Sequence, residues 1–133
     1  FINESEVEFG GEKMPKGSVK FFEENLKYEI DPYSVRHIVD EKDKNHVIVD
    51  VRDSDTYKKG HVPTAVNVPA YEVDKHIKKL PKNKTLILYC YHVVCFAAPK
   101  VALKLAKKGY KVMEMVGGFD EWKKHGHPVE KSK

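Results

Sequence analysis

Two rhythms of apolar residues run along the chain. His46-Val47-Ile48-Val49-Asp50-Val51 and Thr85-Leu86-Ile87-Leu88-Tyr89 are nearly continuous apolar runs, the mark of strands covered on both faces. Tyr28–Ile30, Ala65–Val68 and Lys111–Met115 are further strand candidates, with Pro69 closing the second of them. Between the strands, apolar residues recur at helical spacing. Asp31-Pro32 offers an N-cap and a first-turn proline for a helix whose inner face is Val35, Ile38 and Val39. Asp53–Lys59 reads as a short helix stopped by Gly60. Val73, Ile77 and Leu80 mark another, and Pro99 opens one running to Lys108, with Gly109 as its stop. Phe119–Lys124 reads as the last. Ser18 caps an earlier helix carrying Val19, Phe21, Phe22 and Leu26, expected to pack on the domain.

Strands alternating with helices at short intervals predict an α/β domain with a mainly parallel sheet. The Gly- and Pro-punctuated residues 1–16 are expected to be a loose arm, 17–130 one domain, and 131–133 a tail. With 133 residues the chain buries a core without disulfide or metal staples. It carries 24 basic and 20 acidic residues, so the net charge is +4. The charges are interleaved, as in Glu41-Lys42-Asp43-Lys44, and describe a solvated surface rather than a nucleic-acid face. No apolar run approaches the ~20 residues of a membrane helix, so no span is expected. The chain opens at Phe1, with no basic-then-apolar leader behind it. The expected compartment is the cytoplasm, with the periplasm as the alternative because Met is not first.

Parallel α/β sheets bind ligands at the carboxyl edge of their strands. The loop leaving the 85–89 strand at that edge reads Cys90-Tyr91-His92-Val93-Val94-Cys95-Phe96 and feeds a helix. Loop N–H groups and a helix start favour a negative sulfur there. A free thiol of pKa ~8.5 is only about 3% thiolate at pH 7, so such a setting matters. Cys90 reads equally as a small buried hydrophobe at a strand end. Cys95 is a packing residue or a second thiol, and His92 a thiolate partner or an exposed histidine. Cys90, His92 and Cys95 lack a fourth ligand at standard zinc spacing, and the Cys-x4-Cys spacing is not the redox Cys-x-x-Cys motif. Asp50 and Arg52 flank the end of the 46–51 strand. Arg52 lends positive potential to the edge, or the two brace the loop near Gly60; the brace is the favoured reading. His61 and Trp122 read as structural, and Met113 and Met115 as core. His125 and His127 are expected at the surface, and Gly117-Gly118 as a place where backbones approach closely.

Several motifs together resemble a known family. Val49-Asp50-Val51-Arg52, Tyr57 and Gly60-His61-Val62-Pro63-Thr64-Ala65-Val66-Asn67-Val68-Pro69 resemble the first signature of rhodanese-like domains. Tyr89-Cys90, Gly109-Tyr110, Val112 and Gly117-Gly118-Phe119-Asp120-Glu121-Trp122 resemble the second. The resemblance spans residues 28–130. It extends to a single-domain, phage-shock-type subgroup with a helix before the first strand and a Cys-x4-Cys active loop. It implies a five-stranded, mainly parallel sheet flanked by helices, and a sulfurtransferase. Cys90 would take sulfane sulfur from thiosulfate, polysulfide or a persulfide and pass it to a thiol, a protein or cyanide. Tyr91, His92, Val93, Val94, Cys95 and Phe96 would cradle the persulfide, and Cys95 could resolve it by pairing with Cys90. The alternative is a module that senses persulfides or docks a partner without turnover. No cofactor, metal or nucleic acid is expected.

The loop departs from the family's common Cys-x-x-Gly-x-Arg: Val93 stands for Gly, Cys95 for Arg, and it is two residues longer. Without a loop guanidinium, the expected donor shifts from thiosulfate toward polysulfide or a persulfidated partner. Rhodanese-fold phosphatases need Cys-x5-Arg, but that position is Phe96 counted from Cys90 and Val101 from Cys95, so no phosphatase activity is expected. Thr64 for Gly reads as a minor change.

Overall fold

The computed structural model describes residues 6–9 and 12–132. Among these the elements run β1 (Glu6–Phe9), β2 (Glu12–Pro15), α1 (Lys16–Tyr28), β3 (Glu29–Ile30), α2 (Pro32–Asp40), β4 (His46–Asp50), α3 (Ser54–Lys59) and β5 (Val66–Asn67). A helical stretch over 70–79 follows, with α4 (Val73–His76) between two 3-10 turns. Then come β6 (Thr85–Tyr89), α5 (Ala97–Lys107), β7 (Lys111–Met115) and α6 (Gly118–Lys124). β3–β7 form one all-parallel sheet in the order β3-β7-β6-β4-β5, flanked by helices, as the alternating pattern predicts.

The two apolar runs became the central pair, β4 and β6, in register from His46–Thr85 to Asp50–Tyr89. Successive side chains of a strand point to opposite faces. Leu86 and Leu88 therefore meet Ala98, Val101 and Leu105 of α5, while Ile87 and Tyr89 meet Val35 of α2 and Phe119 and Trp122 of α6. All of these side chains are buried, and each large one contributes roughly 2 kcal/mol of apolar burial. The Asp31 cap of α2 is as expected, its carboxylate accepting from the Ser34 N–H.

Four expectations are corrected. Residues 6–9 and 12–15 of the expected loose arm pair as an antiparallel hairpin; 1–5 and 10–11 lie outside the described residues. α1 starts at Lys16, so Ser18 sits within its first turn and is not its cap. Phe21, Phe22 and Leu26 of α1 are exposed rather than packed on the domain. The helix expected over 73–80 is broken, because the chain tightens into 3-10 turns at Ala70–Glu72 and Ile77–Lys79. A fifth concerns Thr64, which stands in the left-handed region at φ 70°. Thr in place of Gly there is a backbone strain of about 1 kcal/mol rather than a minor change.

Candidate active site

Cys90 directly follows β6, at the carboxyl edge, and is buried. Its position is held through the backbone. The Phe119 N–H donates to the Cys90 carbonyl and the Asp120 N–H to the Tyr91 carbonyl, each at 2.9 Å. The start of α6 thus grips the chain just where it leaves the sheet. This approach needs Gly118, whose φ is +63°. A Cβ there would lie 2.7 Å from the Cys90 carbonyl oxygen and 2.8 Å from the Tyr91 carbonyl carbon. The close backbone approach expected at Gly117-Gly118 is present.

Beyond Cys90 the loop turns back on itself, with the Cys95 N–H donating to the His92 carbonyl. That turn brings Cys95, half-buried, onto Cys90, and the two sulfurs pair as a disulfide with their Cα atoms 6.4 Å apart. Among the described residues, the N–H groups of Tyr91, His92, Val93, Val94 and Phe96 reach no backbone acceptor. Val93, Val94 and Phe96 present exposed apolar side chains around the cysteine pair. Ala98 and Val101, one turn further on, are buried and seat α5 against the sheet. His92 is exposed and hydrogen-bonds to no described side chain, so it does not act as the partner of Cys90 in this arrangement.

Tyr91 is the second anchor. Its hydroxyl donates to the Asp53 carboxylate, which also accepts from the Thr56 N–H and hydroxyl as the N-cap of α3. The Tyr91 hydrogen bond, followed by those from Thr56, holds the Asp53 carboxyl far below the ordinary carboxylate range. A carboxyl depressed on folding stabilises the fold above its unfolded pKa of about 4, and that contribution is lost as pH falls. Asp53→Asn keeps the capping oxygen but removes the charge. Its melting temperature should therefore lie below wild type at pH 7, with the gap narrowing as acid is added below about pH 4. A gap constant across that range in a thermal-melt series would show that the charge contributes nothing.

Asp50 and Arg52 are a brace. Both are buried, and the Arg52 Nη2 lies 2.7 Å from Asp50 Oδ2 and donates to the Gly60 carbonyl at 2.6 Å. Asp50 also accepts from the Arg52 N–H and from the Tyr89 hydroxyl, which itself accepts from the Val62 N–H. Burial pulls the Arg52 pKa down, and the hydrogen bonds and charge of Asp50 more than offset it, so its pKa is raised. Burial, then the Asp50 charge, pushes the Tyr89 phenol far above its usual range. The guanidinium lies 4.2 Å from the centre of the Phe119 ring, a cation–π contact that ties the brace to α6. Arg52 is spent on these contacts and is not the free positive charge of the alternative reading. Sequence reasoning missed Tyr89 and Asp53. Asp53 reads from sequence only as the first residue of a short helix, whereas it caps α3 from outside, and no local signal shows a hydroxyl arriving from 38 residues away.

His61 is buried, with Nδ1 2.8 Å from the Tyr57 carbonyl, and Trp122 donates to the Pro128 carbonyl, so both are structural as expected. His125 is exposed, but His127 is half-buried on the Trp122 ring, a correction to its surface assignment. Beside the loop lies a cleft of about 600 Å³ lined by Val93, Phe96, Leu103 and Val116, with Glu29, Glu114 and Lys100 at its sides. Glu29 and Glu114 are adjacent across β3 and β7, and burial, then the Glu29 charge, raises the Glu114 pKa. No group of three potential metal ligands occurs among the described residues. No described helix is long and apolar enough to cross a membrane.

A parallel sheet with a cysteine at the carboxyl end of a central strand, gripped by the following helix, agrees with a match of the rhodanese-like domain family over residues 33–125. The chain belongs to the rhodanese-like domain family. It is 36% identical over 89 residues to the thiosulfate sulfurtransferase GlpE of Coxiella burnetii, covering 66% of this chain and 80% of that protein. It is 30% identical over 83 residues to the putative sulfur carrier protein YrkF of Bacillus subtilis, covering 62% of this chain and 44% of that one. The crystal structure of the BH2092 protein from Bacillus halodurans superposes with a TM-score of 0.82 at 33% identity, over 89% of this chain and 87% of that one.

Proposed function

We propose that this protein is a sulfurtransferase working through a persulfide on Cys90. The observation that carries the reading is the placement of Cys90 at the end of β6, its carbonyl fixed by α6, before a loop of unengaged N–H groups. Membership of the rhodanese-like family and the similarity to a protein named thiosulfate sulfurtransferase support it. The reduced Cys90 thiolate attacks the sulfane sulfur of a donor, forming Cys90–S–S⁻ and releasing the donor's remaining anion. An acceptor nucleophile then attacks the outer sulfur and returns Cys90 as thiolate. The loop N–H groups favour the anionic sulfur during both steps.

The charge available at the loop supports a choice of donor. Arg52 is committed to Asp50 and Gly60, and no arginine lies in 91–96 to hold a sulfonate. Polysulfide or a persulfide suits the site better than thiosulfate. The exposed Val93, Val94 and Phe96 suit an acceptor thiol with apolar surroundings, such as one on a protein.

The test is intact mass of the reduced protein after polysulfide or thiosulfate. Cys95→Ser should gain one sulfur, and Cys90→Ser none. Sulfur bound by Cys90→Ser but not by Cys95→Ser would move the nucleophile and refute the assignment. The lack of an arginine in 91–96 favours a second reading, a sensing or docking module without turnover. Under that reading the persulfide forms but no multiple turnover to cyanide or a thiol follows.

A further inference from the structure

The pairing of Cys90 with Cys95 points to a second outcome for the bound sulfur. We propose that Cys95 discharges the Cys90 persulfide inside the loop and releases hydrosulfide, so the site reduces sulfane sulfur as well as passing it on. The inference rests on the persulfide reading above. Cys95 is the only other cysteine of the chain, and the turn from the His92 carbonyl to the Cys95 N–H sets its sulfur against that of Cys90.

The step balances without an outside reagent. The Cys95 thiol gives its proton to the outer sulfur of Cys90–S–S⁻, and the resulting Cys95 thiolate attacks Sγ of Cys90–S–SH. The Cys90–Cys95 bond forms, the Cys90–outer sulfur bond breaks, and the outer sulfur leaves as HS⁻ with the bonding electron pair. The outer sulfur is reduced, and the two cysteine sulfurs end as the disulfide. Hydrosulfide is a weaker base than a cysteine thiolate and so the better leaving group. The contact between the two Sγ atoms directs attack to the inner sulfur; attack on the outer one would only move the persulfide to Cys95. A dithiol reductant returns the pair to thiols, itself becoming a disulfide. Half-buried Cys95 and the neighbouring exposed Val93 and Val94 leave the pair open on the side such a reductant would approach.

The experiment uses the full chain, reduced, loaded with polysulfide and freed of excess donor. Sulfide in solution and intact mass are followed together. Wild type should release one hydrosulfide per chain and end two hydrogens lighter than the reduced protein. Cys95→Ser should hold one extra sulfur and release it only when a thiol is added. Cys95→Ala should match it, which separates loss of the thiol from any effect of the serine hydroxyl. A neighbouring thiol acts at an effective concentration of at least ~1 mM, so wild type should release sulfide about 1000-fold faster than either variant does with a micromolar added thiol. Equal retention of sulfur by wild type and Cys95→Ser would overturn the inference and leave the persulfide reading intact. Failure of Cys95→Ser to take up sulfur at all would overturn the persulfide reading, and this one with it.

Discussion

Arg52→Met should lower the free energy of unfolding by about 3–5 kcal/mol, the cost of leaving a buried charge without its partner. The methionine fills much of the same space but leaves Asp50, fully buried, facing the Tyr89 hydroxyl and one backbone N–H with no cation. It also strips the Gly60 carbonyl of its donor and the Phe119 ring of its cation. Adding Asp50→Asn should recover part of the loss, because the amide no longer carries an uncompensated charge and still accepts from Tyr89. Denaturant unfolding of the single and double variants measures both effects. A loss under about 1 kcal/mol in Arg52→Met would mean that the pair is solvated in solution and braces nothing. The loss reaches the cysteine as well. Phe119 carries both the ring against Arg52 and the N–H that fixes the Cys90 carbonyl, so sulfur uptake should slow in the same variant.

This coupling shows which parts of the site could be read from the chain. β4 and β6 were legible because a strand buried on both faces needs apolar residues at nearly every position, a local signal. The cap of α2 was legible for the same reason: Asp31 bonds an N–H three residues on. The cysteine loop was legible as a place, at the carboxyl edge, from strand order alone. What holds the loop was not. The Tyr91–Asp53 and Tyr89–Asp50 hydrogen bonds join residues 38 and 39 apart, and each depends on which strands become neighbours. α1 failed in the opposite direction. Its apolar spacing suits a buried face, but that spacing does not say whether the sheet has room to cover it, and Phe21, Phe22 and Leu26 remain outside.

Gly118→Ala should be the more damaging change at the cysteine itself. In the left-handed region an L side chain costs about 1–2 kcal/mol, and here the methyl also meets backbone that cannot rotate aside. Relief requires α6 to back away from Cys90-Tyr91-His92, which breaks the Phe119 and Asp120 hydrogen bonds at about 1 kcal/mol each. The expected loss is on the order of 3 kcal/mol in unfolding free energy. Gly126→Ala is the matched control. Gly126 also has a positive φ, of +74°, but a Cβ there meets nothing within 4 Å, so it carries only the backbone strain. If the two variants unfold at the same denaturant concentration, the contact with the cysteine loop contributes nothing. If Gly118→Ala is the weaker and also loads sulfur more slowly once folded, the grip of α6 on the Cys90 carbonyl is what places the nucleophile. The distinction matters because a backbone clamp can set the cysteine's position without any charged side chain, and this loop contains no arginine or lysine between residues 91 and 96.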